Sequence, residues 1–149
     1  MNPRKAPRIA EPIPDSAEEQ ILWAQRLAWR HQLSAGAIRK AAALPPAPRV
    51  AMLYPKGVSA GAYACMAIAR ESPRRKGQRE PLEVGEADIW ASGLALGVTL
   101  PPHDMFRGRD VTETCKRIYY AGFRAGALHA LEHLRLRTRL PAGGQEGGS

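Results

Sequence analysis

Prolines divide this chain into segments that have the length of helices. Pro45-Pro46, Pro73 and Pro101-Pro102 each come shortly after a largely apolar or alanine-rich stretch that has the length of a helix. Because proline cannot continue a helix, each of these positions marks the end of an element. The sequence therefore predicts an all-α single domain of four or five helices. It also leaves room for one short extended segment at residues 50–54, in the strand-like stretch RVAMLYP.

Polar residues that cap helices mark where the predicted helices begin. Ser16 and Asp110 are each followed three residues later by glutamate, which is the pattern of a capping box. Ser-Ala-Gly-Ala occurs at residues 34–37 and again at 59–62, and we expect both serines to be N-caps. The helices predicted in this way cover residues 16–33, 34–44, 59–71, 86–96 and 110–139.

The composition of the two ends sets the limits of the domain. Residues 1–14 predict a flexible, basic, proline-rich arm without the hydrophobic core of a signal peptide. Residues 15–140 form the helical domain, and residues 141–149 predict a disordered glycine-rich tail.

No stretch approaches the roughly 18 apolar residues that a membrane span needs. Two cysteines are too few for a disulfide framework, so we expect reduced thiols and a cytoplasmic protein.

The net charge of +8 points to an anionic partner, either DNA or RNA or an acidic protein. The charge is concentrated, since residues 70–79 carry +4 and residues 107–139 carry +5. On the last helix, arginines at spacings of 7, 11 and 4 share one face, which could equally be an ordinary solvated face. The residues that we predict to contact phosphates are Arg74, Arg75, Lys76, Arg79, Arg107, Arg109, Arg117, Arg124, Arg135 and Arg139.

Residues 94–109 loosely resemble the turn and recognition helix of a helix-turn-helix. Gly97 would lie in the turn and Arg107 and Arg109 at the end of the recognition helix, although Pro101-Pro102 would crowd its start. No exposed pattern of aromatic and basic residues for single strands stands out in the sequence. The leading hypothesis is a small, non-catalytic, accessory or regulatory protein that binds nucleic acid.

The first predicted helix carries two apolar stripes, and the second stripe could be available to a protein partner. Trp23 and Leu27 belong to the broader stripe, while Leu22, Trp29 and Leu33 form the second. Large apolar side chains of this kind anchor protein interfaces. The alternative hypothesis is therefore an interaction module, namely an adaptor, an inhibitor or an obligate oligomer.

Gly122 and Gly126 are four residues apart inside the last predicted helix. Each interior glycine costs roughly 0.5–1 kcal/mol relative to alanine, so we expect another backbone to pack closely there. That backbone could belong to another helix of the same chain or to a second copy in a homo-oligomer.

Residues 57–61 match the G-x-S-x-G pattern of a serine nucleophile elbow. GVSAGA resembles the serine elbow of patatin-like lipases over about six residues, which implies a serine–aspartate dyad acting through Ser59. The glycine-rich oxyanion loop and the downstream aspartate-glycine motif of that family are both absent from the sequence. A serine hydrolase is therefore a distant third hypothesis, and whether the chain is an enzyme stays uncertain.

His129 and His133 match H-x-x-E-H, so both could face one zinc ion from a helix. A hydrolytic zinc site needs a third protein ligand, and the short segment after His133 offers only Glu146. The two histidines lie on the side of the interior glycines, which favours packing. The sequence therefore predicts no cofactor and assigns no metal site, and it leaves metal binding by this pair open.

Overall fold

The computed structural model describes residues 16–71 and 82–147, with side-chain surroundings up to Leu134. Those residues form five α-helices and one short 3-10 turn, and this part of the chain contains no strand. The prediction of an all-α domain is confirmed. The helices are α1 (Ala17–Arg30), α2 (Ala35–Ala42), α3 (Pro46–Glu71), α4 (Val84–Leu96) and α5 (Val111–Gly147), and the 3-10 turn (His103–Phe106) precedes α5.

Side-chain caps fix the first residues of three helices. The Oγ of Ser16 and the Oγ of Ser34 each accept a hydrogen bond at 3.2 Å from the backbone N–H three residues later. The Oδ1 of Asp110 accepts one at 3.0 Å from the N–H of Thr112. These bonds satisfy N–H groups that have no partner within the helix. The predicted starts of α1, α2 and α5 are confirmed.

Residues 50–54 belong to α3, so the extended segment expected there is wrong. The buried positions of this stretch include Val50, Leu53, Gly57 and Gly61, at spacings of three and four residues. That period is helical, whereas a half-buried strand would bury every second residue. The apolar composition of this stretch suggested a strand, but the spacing of its buried residues is that of a helix.

Pro55, the last residue of the strand-like stretch RVAMLYP, lies inside α3. An interior proline loses one hydrogen bond and crowds the carbonyl four residues earlier, which costs about 3 kcal/mol. Packing on both sides of it offsets this cost, because Leu53 and Val58 are fully buried. Since α3 is continuous, Ser59 lies in a helix interior, and its prediction as an N-cap is wrong.

The central pair of helices, α3 and α5, meets through four glycines. Gly57 and Gly61 on α3 face α5, and Gly122 and Gly126 on α5 face α3. A Cβ on Gly61 would lie 2.7 Å from a carbonyl carbon of α5, and a Cβ on Gly126 would lie 2.8 Å from one of α3. The close contact predicted from Gly122 and Gly126 is confirmed, and its partner is another helix of the same chain.

The remaining helices surround this pair. Both α1 and α2 pack on α5, while α4 packs mainly on α3 through Ala87 and Ala91. Small side chains on α4 allow close approach, which compensates for the little area that each alanine buries. The larger side chains that complete the core are Phe123, Leu53, Met66 and Ile118.

Arg49 joins the end of α2 to the start of α3. Its guanidinium donates hydrogen bonds to the carbonyl oxygens of Ala41 at 3.1 Å, Ala42 at 3.4 Å and Leu44 at 2.6 Å. The carbonyls of Ala41 and Ala42 lie in the last turn of α2, where carbonyl groups run out of partners within the helix, and Leu44 follows in the turn. Arg49 therefore has a structural role, and we do not count its charge among those available to a ligand.

The backbone of α5 continues to Gly147, beyond the end expected near Arg139. It includes most of the segment that composition assigned to a disordered tail. The predicted arm at residues 1–14 lies outside the described residues.

Candidate nucleic-acid interface

Four exposed arginines are grouped at the first half of α5 and the loop before it. Arg107 and Arg109 lie in the loop, and Arg117 and Arg124 lie on the helix. Gly108 brings the loop against the helix, since a Cβ there would lie 3.6 Å from Nη1 of Arg117. We call Arg107, Arg109, Arg117 and Arg124 the arginine cluster. The exposure of Arg117 and Arg124 is what the helical spacing predicted.

The positions of the helix arginines follow from the α5 backbone. Arg117 and Arg124 are seven residues apart, which is about 10.5 Å along the axis. The positive charge of Arg124 also acts on Tyr54 of α3, where it lowers a phenol pKa that burial raises above its usual value. Arg135 and Arg139 lie further along the α5 backbone, and their side chains are outside the described residues.

No carboxylate of the described residues lies within ion-pair distance of the arginine cluster. Elsewhere, Arg70 and Glu83 form an ion pair at 3.8 Å between the end of α3 and the start of α4. A guanidinium without a carboxylate partner keeps its forked N–H donors for a phosphate or another anion. The arginine cluster is therefore chemically suited to anion binding.

The predicted basic loop lies between α3 and α4, at residues 72–81, outside the described residues. Its predicted phosphate contacts, Arg74, Arg75, Lys76 and Arg79, stay a prediction.

An exposed aromatic side chain lies beside the arginine cluster. Trp29, near the end of α1, stacks on Tyr120 of α5, with ring centroids 6.0 Å apart and planes at 21°. Trp29 is nevertheless 68% exposed. Tyr120 follows Arg117 by three residues and precedes Arg124 by four, so both arginines neighbour it on the helix surface. We call Trp29 and Tyr120 the aromatic pair.

The second stripe of α1 is only partly open to a partner. Leu22 is 55% exposed, as predicted, together with Trp29. Leu33 is only 7% exposed and belongs to the core, so its prediction as an interface residue is wrong. The reason is that α1 ends at Arg30, so a helical wheel extended to residue 33 no longer applies.

The resemblance to a helix-turn-helix is not realised. Gly97 ends α4, and the residues that would form the recognition helix contain only the 3-10 turn His103–Phe106. Pro101-Pro102 removes two backbone donors at the place where such a helix would begin. A recognition helix long enough to enter a major groove is missing between α4 and α5.

Ser59 does not lie on a nucleophile elbow. That motif needs a sharp turn between a strand and a helix, which exposes the serine. Here the residues on both sides of Ser59 are helical, and Gly57 and Gly61 are used for contact with α5. The G-x-S-x-G pattern is therefore explained by helix packing.

The two histidines of H-x-x-E-H have different surroundings. His129 is exposed, so the packing expected of it is wrong, whereas the ring of His133 lies tilted against Trp90 of α4, with ring centroids 4.7 Å apart and planes at 33°. Among the residues that the structure describes, no three His, Cys, Asp or Glu side chains are grouped as metal ligands.

Sequence reasoning missed two features of this region. It overlooked Tyr120 as the neighbour of Trp29, because the contact joins α1 to α5 across 91 positions. It also assigned Gly57 and Gly61 to a catalytic pattern, although they repeat the four-residue spacing of Gly122 and Gly126. That shared spacing was the available signal for the contact between α3 and α5.

No family model, curated protein or solved structure matches this chain. None of the helices in the described residues is long and apolar enough to cross a bilayer.

Proposed function

We propose that this chain is a small non-catalytic protein that binds nucleic acid through phosphate contacts, as an accessory or regulatory component in the cytoplasm. The observation that carries the proposal is the arginine cluster, whose members are exposed and have no carboxylate partner among the described residues. A net charge of +8 adds long-range attraction to a polyanion.

The proposal extends beyond the arginine cluster to the other predicted cations. Arg135 and Arg139 follow on the backbone of the same helix, and Arg74, Arg75, Lys76 and Arg79 would add a second basic segment. Contacts of this kind position a protein on a polyanion without reading its sequence. We therefore expect affinity that depends strongly on salt and weakly on base sequence.

The test is fluorescence anisotropy with short labelled duplex and single-stranded DNA and RNA, titrated across salt concentrations. We expect a triple variant, Arg107→Gln with Arg117→Gln and Arg124→Gln, to bind more weakly. Its plot of log K against log salt should be shallower by about 0.9 on duplex DNA, and by about 0.7 on single strands, for each phosphate contact removed.

The matched control removes the same charge elsewhere, through Arg39→Gln, Lys40→Gln and Lys56→Gln, which are exposed on α2 and α3. This control should keep most of the affinity. Equal weakening in both triple variants would mean that net charge, rather than the arginine cluster, determines binding. Absence of binding at low salt would reject the proposed function.

A second proposal, self-association, rests on the outer side of α4. Gly85, Ile89, Gly93 and Leu96 fall within 80° of one another at 100° per residue. Ile89 is 74% exposed, Leu96 is 89% exposed, and a Cβ on either glycine would meet no neighbour within 4 Å. We call these four residues the outer face of α4. This is the form in which the interaction-module hypothesis has most support.

A further inference from the structure

Trp29 contacts Tyr120 with one side of its indole and leaves most of its surface exposed. Tyr120 stacks against the indole at a centroid distance of 6.0 Å, an offset arrangement that aromatic rings prefer. Trp29 is nevertheless 68% exposed. Leaving a large aromatic side chain in water forgoes the free energy that its burial would give. A second flat apolar group could therefore stack on it at little entropic cost.

Arginines surround this aromatic pair. Arg117 and Arg124 neighbour Tyr120 on α5, and Arg26 precedes Trp29 by three residues on α1 and is exposed. No carboxylate of the described residues pairs with any of these three guanidinium groups. A ligand that fits must therefore present a flat aromatic group and negative charge a short distance away from it.

Building on the proposed function, we infer that the aromatic pair is a stacking site for an unpaired base of single-stranded nucleic acid. Arg26, Arg117 and Arg124 would contact the phosphates beside that base. Every nucleobase has a π-face, so a site of this kind tolerates any sequence. Bases inside a duplex are already stacked on each other and cannot reach Trp29. The site therefore favours single strands over duplexes.

The test compares Trp29→Leu with wild type on a single strand and on a duplex of the same sequence. We expect the affinity for the single strand to fall about five- to 150-fold and the affinity for the duplex to change little. Trp29→Phe should restore part of the loss, because it keeps an aromatic ring. Binding of the single strand should also quench tryptophan emission in wild type and not in Trp29→Leu.

Two control variants show whether stacking on Trp29 itself causes the effect. Leu22→Ala removes an exposed apolar side chain from the same helix, and it should leave binding of the single strand unchanged. An equal loss in Leu22→Ala would indicate general apolar contact and would overturn the stacking site. Trp90→Phe, at an indole that lies against His133, should leave the quenching in place. Circular dichroism on each variant verifies the fold.

The outcomes also distinguish this inference from the proposed function. If Trp29→Leu binds the single strand as tightly as wild type, with a steep salt dependence, the stacking site is wrong and phosphate binding survives. If wild type binds neither strand nor duplex at low salt, the proposed function fails, and this inference fails with it.

Discussion

Burial controls the chemistry of Cys65 at the centre of the molecule. The residue is fully buried on α3, and burial raises the pKa of its thiol far above the ordinary 9.0. Thiolate, not thiol, is the reactive form of cysteine, so Cys65 is inert toward oxidants and electrophiles in the folded state. Cys115 is also buried, and burial raises its pKa as well.

The raised pKa of Cys65 predicts a loss of stability in alkaline solution. The folded state holds the thiol proton, whereas the unfolded chain releases it above pH 9.0. The contribution of this thiol to the free energy of unfolding should therefore be constant below that pH and fall above it, by up to about 1.4 kcal/mol per pH unit. Tyr54 and Tyr119, whose pKa values burial also raises, should add to the fall above pH 10.0.

Denaturant titrations on either side of pH 9 measure this effect. Between pH 9.0 and pH 10.0, the ordinary pKa values of a cysteine thiol and a tyrosine phenol, the free energy of unfolding of Cys65→Ala should decline less than that of wild type. This holds whatever the stability of the variant at neutral pH. Identical declines in wild type and Cys65→Ala would contradict the assignment of the decline to this thiol.

Individual side chains differ in how far the sequence predicts them. Arg117 and Arg124 are exposed as predicted, because both lie within one regular helix where a period of 3.6 residues applies. Leu33 was misplaced because the helix ends before it. Tyr120 was missed because its contact with Trp29 depends on how α1 lies against α5, which no local pattern encodes.

At the scale of elements, two glycines that both lie inside helices affect the free energy of unfolding in opposite ways when they are replaced by alanine. Gly61 lies where a side chain would collide with the α5 backbone, while Gly93 on α4 has open space around its Cα. Overpacking typically costs about 1–3 kcal/mol, and replacing an exposed interior glycine of a helix by alanine gains about 0.5–1 kcal/mol. The two positions therefore form a matched pair for mutation.

We expect Gly61→Ala to lower the free energy of unfolding by about 1–3 kcal/mol. Gly93→Ala should raise it by about 0.5–1 kcal/mol in the monomer. Chemical denaturation monitored by circular dichroism at low protein concentration measures both. If Gly61→Ala were neutral, the close contact between α3 and α5 would not exist as described.

The starts of three helices could be predicted from sequence, and the start of α3 could not. Capping residues predicted the starts of α1, α2 and α5, since a cap acts within four residues of itself. The helix start at Ser59 was predicted from the repeated Ser-Ala-Gly-Ala, whose serine was expected to be an N-cap. The packing of Gly57 and Gly61 against α5, together with the burial of Leu53 and Val58, explains why α3 continues through Pro55, and packing is a property of the assembled fold.

At the scale of the whole molecule, the charge is distributed unevenly. Residues 82–102 contain no lysine or arginine in a chain with 22 of them, and they carry three carboxylates. This region includes all of α4, whose outer face is apolar. Two copies of a +8 molecule repel each other over most of their surfaces. At the outer face of α4 they could approach each other without bringing cations together.

The outer face of α4 is also complementary to itself. If two copies of α4 lie antiparallel, Ile89 of one copy comes opposite Gly93 of the other, and Leu96 comes close to Gly85. Each large side chain would then meet a position where no Cβ stands in its way. A two-fold interface requires this reciprocal arrangement, because the same patch serves both sides.

The final prediction is therefore a dimer that depends on the outer face of α4. In sedimentation velocity at increasing protein concentration, wild type should shift toward a dimer, whereas Ile89→Glu with Leu96→Glu should stay monomeric. Met105→Glu, at another exposed apolar side chain, should behave as wild type. Salt screens repulsion between the two +8 copies, so added salt should favour the dimer while it weakens binding to nucleic acid. A wild-type monomer at every concentration and salt level would reject self-association and leave the arginine cluster unaffected.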